Sequence, residues 1–228
     1  MNDQFSTYRY NDICAKSHAM HLNFIDLMVT GVTGAGKSTT LNSFFQRPVA
    51  EVGTGVDPKT MEIQSYFLNK FFRIWDTPGL GDGVAIDLVH KKKMVDLLTD
   101  SYDGDCGIID MALVIVEGSN RDMGTTYSLI NELMVPNLSP DRILVAINQA
   151  DMAMKGRHWD PVKKEPDAQL KNFLNEQALS IQRRVKEATG ISILKPVCYS
   201  AEYSWNIHAL FDFIIDHMPH ERRKLQLR

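Results

Sequence analysis

The stretch "FIDLMVTGVTGAGKSTTLNSFF", residues 24–45, decides the fold. A β-prone apolar segment stops at Gly31, a glycine-dotted turn follows, and a helical pattern opens at Lys37-Ser38-Thr39. Within it "GVTGAGKS", Gly31 to Ser38, satisfies every fixed position of G-x-x-x-x-G-K-[ST], with the required strand before and helix after. The residue types follow from what an anion needs. Glycines let consecutive backbone N–H groups turn inward around a phosphate, and the helix start aims its positive dipole end at the same point. Lys37 supplies a mobile cation for the outer phosphates, and the Ser38 hydroxyl is a natural Mg²⁺ ligand. Thr33, Gly34, Ala35, Gly36, Lys37, Ser38 and Thr39 are therefore the expected phosphate-binding residues.

Outward from this turn, six short β-prone segments recur at 24–30, 62–68, 71–75, 111–117, 142–148 and 193–200. Several are near-continuous apolar runs, as strands covered on both faces of a parallel sheet require. Between them apolar residues fall at helical spacing: Tyr127, Ile130 and Met134; Leu170, Phe173, Leu174, Ile181 and Val185; Ile207, Leu210, Phe211, Ile214, Ile215 and Met218. Alternating strand and helix predicts a doubly wound α/β layer fold, mostly parallel. The two-residue link "NK", 69–70, makes the second and third strands a hairpin and one strand antiparallel. The expected organisation is an N-terminal arm or helix over 1–22, one nucleotide domain over 23–219 and a basic tail over 220–228.

Bulk properties are those of an ordinary globular chain. Its 228 residues carry 25 Lys and Arg against 28 Asp and Glu, a formal charge of −3, so no global basic field argues for nucleic acid. Cys14, Cys106 and Cys198 show no pairing motif and read as reduced, mostly buried thiols. No apolar stretch approaches the ~20 residues that span a bilayer, and the first twenty lack a signal-peptide core. A cytoplasmic protein without stable membrane insertion is expected.

The cradle alone does not choose the base. After the third strand comes "WDTPGLGD", 75–82, where Asp76 stands at a strand end suited to hold Mg²⁺ and Gly79 offers an N–H that senses a γ-phosphate. "NQAD", 148–151, follows the fifth strand and "SAE", 200–202, the sixth. Together the set resembles the nucleotide motifs of Ras-like GTPases over residues 24–218. It is most similar to the Era/TrmE-type, translation-factor-class group, and within that to small prophage-type GTPases of the ribosome-associated GTPase domain family. The resemblance implies a three-layer P-loop NTPase of Ras-like form, a six-stranded mostly parallel sheet with one antiparallel strand, and a Mg²⁺-dependent GTPase. It makes Asp151 the base reader. A carboxylate there accepts from guanine N1–H and the 2-amino group, whereas adenine leaves it unpaired. It makes Asn148 the tie between this loop, the P-loop and guanine N7, and gives the Ala201 N–H to guanine O6, with Ser200 and Glu202 shaping that loop.

Two departures matter. Gln149 stands where such proteins usually carry lysine, which predicts weaker nucleotide affinity with guanine preference kept. Leu80 stands where many orient the attacking water with glutamine. Slow turnover is therefore expected, accelerated by a partner, by K⁺ or by self-association; Arg47 and Arg121 are candidate arginine fingers. Thr60 is the expected switch ligand to Mg²⁺, with Thr54 as the alternative, and Lys37, Thr60 and Gly79 form the catalytic set. The expected ligands are GTP and GDP, and the expected reader is an unknown protein or a ribosomal effector. A nucleotide-dependent homodimer, with hydrolysis secondary, is the rival reading. "HKKKM", 90–94, reads as a solvated helix face, 152–167 as a polar surface loop, and Trp75 as strand core.

Overall fold

Alternation along each apolar run sorts its side chains onto two faces of one sheet. Residues 4–50, 62–102, 104–119 and 123–225 are described by the structure, a computed structural model. The main sheet contains β1 (Ile25–Gly31), β2 (Gln64–Asn69), β3 (Phe72–Asp76), β4 (Met111–Glu117) and β5 (Ile143–Asn148). A small hairpin, β6 (Trp159–Asp160) with β7 (Glu165–Pro166), stands apart, and β8 (Val197–Cys198) closes the main sheet. The order is β2-β3-β1-β4-β5-β8, with only β2 antiparallel to its neighbour among these strands.

Ile25, Leu27 and Val29 of β1, Met111, Leu113 and Ile115 of β4, and Leu144 and Ala146 of β5 share one core. Against it pack α1 (Gln4–Thr7), α2 (Tyr10–Ala19), α3 (Lys37–Phe45) and α7 (Ile207–Asp216), through Phe5, Ile13, Phe44 and Phe211. Met28, the alternate residues of β4, and Ile143, Val145 and Ile147 of β5 face the opposite core. That core is covered by α4 (Val84–Thr99), α5 (Gly124–Ser128) with the π-helical turn Leu129–Met134, and α6 (Ala168–Thr189). Two apolar faces on one pleated sheet are what the period of two demands. The predicted three-layer α/β fold is the observed one.

Four local outcomes differ from the sequence reading. The sixth strand shrinks from 193–200 to Val197–Cys198, because Pro196 has no N–H to offer a ladder. The thiols of Cys14, Cys106 and Cys198 are all half-buried. Trp75 packs against the core from β3 as expected but is only half-buried, and its indole N–H donates to Asp26 Oδ1 (2.6 Å). The tail is tied down through residue 225. Arg223 is buried and donates to the carbonyls of Ile109 (2.5 Å), Leu98 (2.8 Å) and Asn137 (3.2 Å), while Leu225 N–H reaches Asp105 O (2.8 Å).

The leading segment is helical. Phe5 packs on Phe211 (5.0 Å) and Phe44 (6.2 Å), and Arg9 pairs with Asp212 (3.1 Å) and Asp216 (2.6 Å) of α7. "HKKKM" lies on α4: His90 is buried, Lys91 pairs with Glu132 (2.7 Å) and Lys93 with Glu62 (2.7 Å). Among the described residues no helix is long and apolar enough to cross a membrane.

Candidate functional site

Parallel strands deliver their C-terminal ends to one edge, and the loops leaving β1, β3, β5 and β8 meet there. The loop after β1 turns because Gly34 (φ 82°) and Gly36 (φ 84°) adopt left-handed backbone, which costs glycine little. Gly36 is also required sterically, since a Cβ there would lie 2.2 Å from Asn148 Nδ2. The nine-residue helix α3 then starts at Lys37.

Lys37 is 7% exposed, and its ammonium has the carbonyls of Val32 (3.1 Å) and Gly31 (3.4 Å) as neighbours. Burial pulls its pKa down to about 8, against the opposing pull of Asp76 and Asp82. Asp76, at the end of β3, is 2% exposed, and burial pushes its carboxyl up to about 6 despite Lys37 nearby. Its Oδ1 is buried with no hydrogen-bond partner among the described residues. A buried acceptor of this kind, beside a helix start, a lysine and the half-buried hydroxyls of Ser38 and Thr39, fits a Mg²⁺–phosphate pair. Ser38 and Asp76 are the side chains that would hold a divalent ion there, and it would supply charge neutralisation at the phosphates.

The base-side loops are wired to this cradle. Asn148 Nδ2 donates to Ala35 O (3.0 Å), and its Oδ1 accepts from Ala201 N–H (3.0 Å). The amide assigned by resemblance to guanine O6 is therefore held by Asn148. Gln149 Nε2 donates to Gly34 O (2.8 Å), so the glutamine spans to the P-loop as a neutral amide. Asp151 is buried and accepts from the Ser200 hydroxyl (2.6 Å), while Glu202 is exposed. Thr40 and Tyr199 hydroxyls bond at 2.8 Å, joining α3 to the segment that leads from β8 to Ser200. Residues 152–167 form the β6–β7 hairpin and the Asp167 cap on α6. Trp159 packs on Tyr203 (5.2 Å) and Trp205 (6.0 Å) and so braces the loop after β8.

The loop after β3 runs alongside the cradle. Thr33 N–H donates to Leu80 O (2.8 Å), and a Cβ on Gly79 would lie 2.4 Å from Thr33 Oγ1. Leu80 is 1% exposed and packs in the core beneath α4. Sequence reasoning missed Asp82, whose Oδ2 accepts from Thr33 Oγ1 (2.5 Å). Its signal was the second carboxylate in "DTPGLGD". Thr54, Thr60 and Arg121 lie outside the described residues, and Arg47 is exposed near the end of α3.

These loops gather the candidate phosphate, metal and base residues at one sheet edge. Residues 26–178 match the model of the 50S ribosome-binding GTPase family. The chain belongs to that family. It is a GTPase, binding and hydrolysing GTP. Among curated proteins none matches the chain. Of solved structures, Toc33 from Arabidopsis thaliana with GDP and Mg²⁺ is similar at TM-score 0.63 and 16% identity, covering 99% of this chain and 97% of Toc33. Era from Aquifex aeolicus bound to GDP and AlF₄⁻ is similar at TM-score 0.57 and 16% identity, covering 87% of this chain. This GTPase spans 58% of that Era chain. A third structure, concerned with dimerization being important for the GTPase activity of atToc33 and psToc159, gives TM-score 0.67 at 16% identity, covering 97% of this chain and 94% of that one.

Proposed function

We propose that this GTPase is a nucleotide-dependent molecular switch with slow intrinsic turnover, whose triphosphate state is read by a partner. The observation that carries this reading is Leu80, sealed in the core where a water-orienting side chain would stand, beside an intact phosphate cradle. Positioning and charge are then present without the group that aligns the nucleophile. Lys37 and the backbone N–H groups of 33–39 hold the phosphates, Ser38 and Asp76 hold Mg²⁺ with Thr60 joining in the triphosphate state, and Gly79 reads the γ-phosphate. Asp151 reads guanine, with Asn148, Ser200, Ala201 and Glu202 around it. Turnover measured on dilute protein in sodium and then potassium buffer tests the switch. Fast hydrolysis by dilute protein in sodium refutes it; acceleration by K⁺ or by concentration supports it. Asp151→Asn tests the base assignment, with preference moving from guanine toward xanthine.

A second reading, nucleotide-dependent self-association, is favoured by one feature. Val84 and Leu88, at i and i+4 on α4 directly after the switch loop, are 81% and 63% exposed, and Val89 beside them is also exposed. Light scattering with GDP and with a non-hydrolysable GTP analogue separates a dimer from a monomeric switch. Era in complex with 16S ribosomal RNA supports a ribosomal reader for this chain, as does the family description. The motif set supports placing it with the Era/TrmE-like, prophage-type GTPases of the cytoplasm.

A further inference from the structure

The loop carrying Asp82 is fixed on both sides of that residue. The Gly79 carbonyl only accepts, so His90 Nδ1, 2.8 Å away, carries the proton that holds it. Leu80 pairs its backbone with Gly31 and Thr33, and its side chain anchors the turn in the core. The N–H groups of Gly81 (2.9 Å) and Asp82 (3.3 Å) donate to Asp87 Oδ1 in the first turn of α4. Gly81 (φ 110°) and Gly83 (φ 122°) turn the chain immediately before and after Asp82, in backbone that favours glycine. The product of this wiring is one carboxylate directed at the P-loop. It receives the Thr33 hydroxyl at 2.5 Å, a charge-assisted bond, and its field reaches the buried Lys37 ammonium.

We propose that Asp82 sets the preference between guanosine di- and triphosphate. This rests on the reading that Lys37 and the P-loop amides clasp the phosphates. A terminal phosphoryl group brings further negative charge to Lys37 and seeks the donors of the same loop, so it competes with Asp82 for both. A diphosphate brings no such group and leaves the Thr33–Asp82 bond in place. Triphosphate binding therefore expels Asp82, and the displacement passes through the glycine pair to the exposed stripe of α4. The carboxylate thus favours GDP and couples the third phosphate to the surface beyond it.

The test uses the full chain with Mg²⁺, titrated calorimetrically with GDP and with a non-hydrolysable GTP analogue. Asp82→Asn keeps an acceptor for Thr33 and removes the charge. It should raise the ratio of triphosphate to diphosphate affinity by roughly tenfold, the factor carried by ~1.4 kcal/mol. Asp82→Ser, which also removes the charge, should move the ratio the same way. Thr33→Val, which removes the donor that both groups would share and leaves the charge near Lys37, should move it less than Asp82→Asn. If Asp82→Asn does not fold, Asp82→Ser carries the test. An unchanged ratio with both nucleotides still bound overturns the proposal and leaves the GTP reading standing. Equal weakening of both ligands, or lost turnover at an unchanged ratio, also overturns it. Failure of the wild-type protein to bind either nucleotide overturns the reading beneath it.

Discussion

Replacing Asn148 with alanine removes one side chain and opens two joints. Its amide links Ala35 O to the loop after β5 and that loop to Ala201 N–H, each at 3.0 Å. Ala35, Ala201 and Asn148 are all buried, so both backbone groups lose their partner away from bulk solvent. A buried polar group left unpaired costs about 1–3 kcal/mol, which brackets the loss at roughly 2–6 kcal/mol. The emptied space lies at the rim of the sheet where water can enter on truncation, so the low end applies, ~2–3 kcal/mol. With a urea slope of about 3 kcal/mol/M, at the upper end for small proteins, the unfolding midpoint should drop by roughly 0.7–1 M. GDP affinity should fall at least tenfold by calorimetry, because in the proposed site the same two loops carry the phosphate and base ends of one ligand. Asn148→Asp should be no better, since it sets a carboxylate oxygen against Ala35 O. A midpoint within ~0.2 M of wild type, together with GDP affinity within about twofold, would refute the bridging role.

Other consequences are equally direct. Asp110 is buried, and burial pushes its carboxyl from 3.8 up to about 7, with Asp26 N–H, Arg142 and Arg223 opposing the rise and Asp26 adding to it. A pKa raised on folding contributes stability below pH ~4 that is lost as pH rises through ~7; at about 1.4 kcal/mol per unit this is on the order of 4–5 kcal/mol. Asp110→Asn should therefore stabilise the protein at pH 8 and flatten its urea stability between pH 5 and 8. Arg223→Met strands three carbonyls while relieving a guanidinium that burial pulls down to about 10. The net loss should be ~2–4 kcal/mol, a melting point lower by roughly 5–10 °C, and a drop under 2 °C would count against the anchored tail. Gly36→Ala forces a Cβ to 2.2 Å from Asn148 Nδ2 on left-handed backbone, so GDP binding should fall more than tenfold in calorimetry.

The layers and the phosphate turn were legible because both are local. A strand buried on two faces is written as a continuous apolar run, and "GVTGAGKS" specifies its own turn. The sixth strand reads longer in the sequence because "ILKPVCYS" is mostly apolar, and only the proline inside it marks where pairing begins. The tail looked loose because Arg223 sits in a basic run, and nothing within that run reveals the three carbonyls gathered from distant segments. α2 carries no clear apolar stripe, so its place is set by Ile13 and by Arg9 pairing with α7. Asp82 was missed for the same reason: its partner, Thr33, is 49 residues away, and only the fold brings them together.

The two-residue β8 has a consequence for how this edge of the molecule breathes. A ladder of only Ala146–Val197 and Ile147–Cys198 is short, and beyond it the Tyr199–Thr40 and Ala201–Asn148 contacts act as separate pins. Guanosine nucleotide laid from α3 to this rim would brace it like a strut, so amide deuteration at 197–201 should slow on binding far more than at the β4–β5 interior.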